Sequence, residues 1–121
     1  MRRLLLGALA ALLPATAQAG YAPREPWQKK TLAAIRREAK AVRAARFERR
    51  DKLVLLMVDD GGRRDGYVET ICVVLSQAGI PDGFAVVVQV LDEHAARRGL
   101  ALEMGRAICT KMEDGGLVTF D

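Results

Sequence analysis

A small α/β domain is predicted by three features of the 121-residue chain. Two near-continuous apolar runs, at residues 52–58 and 84–91, read as strands buried on both faces, as in a parallel sheet. The residues between them carry a helical stripe, and the separation is long enough for the crossover that parallel strands require. The expectation is a βαβ unit with a sheet of two or three strands and covering helices, preceded by a long basic N-terminal helix. Half of the residues are apolar and 28% are charged. That balance suits a globular body with a modest core and argues against a disordered or fibrous chain. The length leaves no room for a multidomain enzyme.

Residues 1–19 read as a secretory signal peptide. Arg2 and Arg3 supply the charged start, residues 4–13 the apolar run, and Ala17, Gln18 and Ala19 a small-residue cleavage site before Gly20. Cleavage between Ala19 and Gly20 would leave residues 20–121, exported to the periplasm or the medium. The apolar run is shorter than the roughly 18–20 residues that a membrane-spanning helix needs. Residues 20–26, with Pro23 and Pro26, read as a flexible leader.

Residues 27–50 read as a basic amphipathic helix. Leu32, Ile35, Ala39, Val42 and Arg46 recur at spacings of three and four, and Ala and Arg, both strong helix formers, fill much of the remainder. Charge separates sharply here. Residues 24–52 hold eleven Lys or Arg against four Asp or Glu, and residues 53–121 hold six against eleven. A basic arm is therefore joined to an acidic body, residues 51–121.

Within that body, Asp59, Asp60, Gly61 and Gly62 break the first strand. Tyr67, Ile71, Val74 and Ala78 share a stripe that predicts a helix over 66–78, closed by Gly79 and Pro81. The second strand, 84–91, ends at Asp92, which can cap a further helix over 93–112 with Ala101, Met104, Ile108 and Met112 on one face and an interruption at Gly99. Residues 113–116 read as a turn, and 117–120 as a short third strand.

Export into an oxidising compartment makes a disulfide the favoured reading of Cys72 and Cys109. The alternatives are two buried thiols, or a soft Cys109–Met112 pair for a metal. If the two apolar strands are parallel, their carboxyl ends bring Asp59 and Asp60 beside Asp92, Glu93 and His94, where open α/β folds bind ligands. Such a cluster can hold a divalent cation or act as an acid and base pair, although Asp and Gly also decorate strand ends simply to stop strands and cap helices. No other cofactor is indicated. Gly61, Gly62, Arg63 and Arg64 precede a helix and suggest an anion loop, which Asp59, Asp60 and Asp65 oppose. Ser76, the sole serine, stands mid-helix without a nucleophile elbow.

These features point to a non-catalytic binding or accessory protein of the bacterial envelope. Its expected interaction surface is Lys29, Lys30, Arg36, Arg37, Lys40 and Arg43 on the basic helix. The expected partner is another envelope protein or a second copy, with an anionic membrane surface as an alternative. Nucleic acid is disfavoured, because only Trp27 and Phe47 could stack within the basic segment. The other classes weighed are a ligand- or cation-binding protein using the acidic cluster, and a small redox or hydrolytic accessory protein.

Overall fold

The computed structural model describes residues 20–61, 64–113 and 117–120. The expected signal peptide lies outside the described residues, as do Asp114, Gly115 and Gly116 of the expected turn.

Helix α1, Pro26–Glu38, begins where proline at the first position costs no hydrogen bond. The Gln28 side-chain oxygen accepts the backbone N–H groups of Arg24 and Glu25, each at 3.0 Å, which satisfies donors that the helix start leaves free. Trp27, Gln28, Thr31 and Ile35 form the buried stripe. The Gln28 amide also donates to the Tyr21 hydroxyl at 3.0 Å, so the irregular leader is tied to α1.

The long basic helix expected over 27–50 ends at Glu38, and strand β1, Val42–Arg49, takes its second half. The physical reason is Phe47. It buries to 2% exposure against the Trp27 ring, 5.5 Å away and edge-on, and pairs in register with Leu53. Helix propensity is a weak prior that such packing overrides. β1 turns at Arg50 and Asp51 into β2, Lys52–Met57, as an antiparallel hairpin.

The βαβ unit is present as expected. Strand β3, Ala85–Asp92, runs parallel to β2 with Lys52 opposite Val87 and Met57 opposite Asp92. The crossover contains α2, Asp65–Ala78, which ends at Gly79 in the left-handed conformation, φ +97°. After β3, however, the expected helix over 93–112 is reduced to α3, Glu93–Arg97. Strand β4, Glu103–Lys111, follows and pairs antiparallel with β3. Its inward residues are small, namely Gly105, Ala107 and Cys109, while Arg106 and Ile108 face outward. That arrangement lets the sheet approach α2 closely. Strand β5, Leu117–Phe120, adds to β4 as expected.

The sheet is thus larger than the two or three strands expected: it is mixed, in the order β1-β2-β3-β4-β5. Helices α1 and α2 lie side by side on one face, and one core cluster joins Trp27, Ile35, Leu53, Ile71, Leu75 and Val88 among others. The Cys72–Cys109 disulfide crosses this core with Cα atoms 5.4 Å apart, both residues fully buried. It fastens helix α2 to strand β4, rather than helix to helix.

The opposite face of the sheet is polar. The Gln89 amide and the Arg106 guanidinium both donate to Glu103 Oε1, at 2.7 and 2.9 Å, and Lys52 lies 3.1 Å from Glu48. Those donors hold the Glu103 carboxyl below its ordinary pKa, the Gln89 bond contributing most. Val54, in register between Arg46 and Gln89, is fully buried among these side chains on the second face.

Candidate functional site

The parallel pairing of β2 with β3 sets their carboxyl ends side by side, the condition that the acidic cluster required. Asp92, only 7% exposed, is the N-cap of α3. Its Oδ2 accepts the Ala95 N–H at 2.9 Å, and its Oδ1 accepts the Asp59 N–H at 3.2 Å. Asp59 in turn accepts the Gly61 N–H at 2.9 Å. Asp60 pairs with Arg64 at 3.3 Å. Glu93 lies between Arg97, at 3.1 Å, and Arg43, at 3.6 Å, and His94 is exposed. The chain therefore assembles these residues at one end of the sheet, and each placed carboxylate has a backbone or guanidinium partner. Among the described residues no group of three His, Cys, Asp or Glu side chains is arranged to hold a metal ion.

Arg64, expected in an anion loop, bonds at this end to the protein itself. Its Nη2 donates to the Val58 carbonyl at 2.6 Å, and its Cβ and backbone lie against Gly105, where an added Cβ would come within 3.1–3.2 Å. Of the residues read as an anion loop, Arg64 thus turns back to the end of the strand that precedes it. Gly62 and Arg63 of that segment lie outside the described residues.

The basic side has a different character. Lys29, Lys30, Arg36, Arg37, Lys40 and Arg43 are all exposed. Arg37 meets its neighbour Glu38 at 3.0 Å, and Arg43, which belongs to β1 rather than to a helix, reaches Glu93. Exposed pairs of this kind contribute little to folding and leave the cations available. A cleft of about 270 Å³ separates α1 from α2, lined by Lys30, Ala33, Ala34, Arg37, Val74 and Gln77 among others. Arg46 and Arg49 are also exposed on β1, in register with Val54 and Lys52 on the sheet's second face, and they pair with Glu48 at 3.4 Å and Asp51 at 2.7 Å.

Arg50 sits apart from that surface in function. It pairs with Glu25 and stacks over the Phe84 ring at 4.2 Å, which locks the start of α1 to the β1–β2 turn. The alternation that would have identified β1 is disturbed by register shifts between Val42 and Ala44 and between Phe47 and Arg49, so Arg46 and Arg49 read as helical from sequence. Comparison with protein-family models, curated proteins and solved structures gives no match to this chain.

Proposed function

We propose that the chain is an exported, non-catalytic binding protein that docks an acidic protein partner on the basic side formed by α1 and β1. The observation that carries this reading is the concentration of exposed cations there: Lys29, Lys30, Arg36, Arg37 and Lys40 crowd α1 and the turn after it, with Arg43, Arg46 and Arg49 on the adjoining strand. A surface of one sign raises encounter rates with a partner of the other and excludes like-charged competitors. The disulfide and the charged start of the chain agree with an oxidising destination.

Deleting residues 24–50 would remove Trp27, Ile35 and Phe47 from the core together with an edge strand, so it tests folding and not docking. The discriminating variant is Lys29→Glu, Lys30→Glu, Arg36→Glu and Arg37→Glu together, all at exposed positions. Native mass spectrometry of the exported fraction should find a chain starting at Gly20 in a complex with a second protein, and the fourfold variant should be recovered as a free monomer. The same complex in both proteins, or a wild type that is never complexed, overturns the reading.

A further inference from the structure

We propose that the outer edge of β1 is a strand-addition site for an extended acidic segment of another protein. This rests on the basic-side reading and specifies how the partner is held. β1 is the first strand in the sheet order and pairs with β2 alone, so its outer row of backbone N–H and C=O groups has no partner strand among the described residues. A peptide that joins such an edge gains affinity from main-chain hydrogen bonds and specificity from pockets that receive alternate side chains.

Two clefts border this strand. One of about 100 Å³ is lined by Leu32, Ile35, Arg36, Val42 and Ala45 among others. The second, of about 600 Å³, is lined by Tyr21, Pro23, Leu32, Ala45, Phe47 and Arg49 among others. They share Leu32 and Ala45, so together they follow β1 along its length beside α1. Their lining mixes apolar side chains, Leu32, Val42, Ala45 and Phe47, with Arg36, Arg46, Glu48 and Arg49, which suits a strand that alternates small aliphatic and charged side chains.

Charge selects the occupant. Arg36, Arg43, Arg46 and Arg49 are exposed along the groove and strand, and Glu48 is the only acidic residue within β1. A second copy pairing through the same edge would set two arginine-rich strands against each other, which is unfavourable for directly opposed like charges. An extended segment that alternates acidic and aliphatic residues meets both the cations and the clefts. The arginines and the two register shifts would blunt indiscriminate edge pairing while leaving that partner acceptable.

The test uses the disulfide-intact protein and a fluorescent octapeptide of alternating Val and Glu, read by anisotropy. Two further octapeptides carry N-methyl groups on the odd or the even amides, because only one set can face β1. Strand addition predicts that one methylated peptide loses at least tenfold in affinity while the other does not. It also predicts that alternate β1 amides exchange more slowly with the peptide bound. If all three peptides bind alike and Arg36→Glu with Arg49→Glu weakens all of them, strand addition is overturned and the basic-side reading stands. Binding to phosphatidylglycerol vesicles without binding to the peptides overturns both. No binding to either probe overturns strand addition, and the fourfold charge reversal then decides the broader reading separately.

Discussion

Both carboxylate oxygens of Asp92 accept backbone N–H groups, one from Ala95 within α3 and one from Asp59 at the end of β2. One side chain therefore starts a helix and holds a neighbouring strand end. Asp92→Ala should cost about 0.5–2 kcal/mol in urea denaturation, the usual range for a lost helix cap, with Asp92→Asn costing less. A capping role also predicts that added Mg²⁺ or Ca²⁺ leaves this cost unchanged, whereas a wild-type melting rise that Asp59→Asn abolishes would assign the cluster to a cation. Glu25 shows the same economy with a pH consequence. Its carboxyl is held below the usual 4.5 by the hydrogen bond from Arg50, helped by the Trp27 indole. A folded pKa below the unfolded one makes the ionised form favour the native state, so this contribution is complete above pH 4.5 and declines as pH falls through the depressed value. Glu25→Gln should melt lower than wild type at pH 7, and the difference should close on acidification below that range. A difference independent of pH would mean that the carboxylate charge is irrelevant to the lock.

At the scale of elements, the disulfide makes the clearest prediction. It joins α2 to β4 across 37 positions, so breaking it frees the unfolded chain and detaches the helix from the strand that β5 extends. Cys72→Ala with Cys109→Ala should lose about 2–4 kcal/mol, and reductant should affect the variant no further. The pairing of the cysteines was legible in the sequence, but the element bearing Cys109 was not. β2, α2 and β3 were readable because their apolar runs and terminators agree: Gly79 and Pro81 close α2 as its stripe ends. β1 and β4 were hidden for opposite reasons. In β1 the inward positions Val42, Ala45 and Phe47 do not keep a period of two through the register shifts, while Ala and Arg imitate a helix. In β4 the alternation is regular from Gly105 to Cys109, but its inward side chains there are small because α2 and the Arg64 backbone come close. The larger Ile108 points outward, at 37% exposure. A hydropathy pattern reports burial only where size and burial agree, and here close packing separates them. The acidic residues were likewise legible as neighbours, because parallel pairing was, while their bonding partners lay in side-chain geometry that spacing does not encode.

For the molecule as a whole, placing α1 and α2 on one face leaves two chemically different surfaces through which another protein could be held. One is the cationic side of α1 and β1. The other is the short apolar stretch before β4, where Leu100 and Leu102 are 57 and 50% exposed. Salt distinguishes them. The screening length falls from about 10 Å at 0.1 M to about 3 Å at 1 M, which weakens attraction between exposed charges and leaves apolar burial intact or strengthened. Docking on the cationic side therefore predicts that the partner's apparent Kd rises by roughly tenfold or more between low and high salt, largely through slower association. In the variant with Lys29, Lys30, Arg36 and Arg37 changed to Glu, binding should be weak at low salt and should not weaken further as salt rises. An affinity indifferent to salt in wild type would move the interface to the apolar surface, and Leu102→Asp would then be the substitution that abolishes it. The same titration separates the backbone contribution at β1, since main-chain hydrogen bonds survive screening: the octapeptide should keep its preference between the two methylated registers at high salt even as its overall affinity falls.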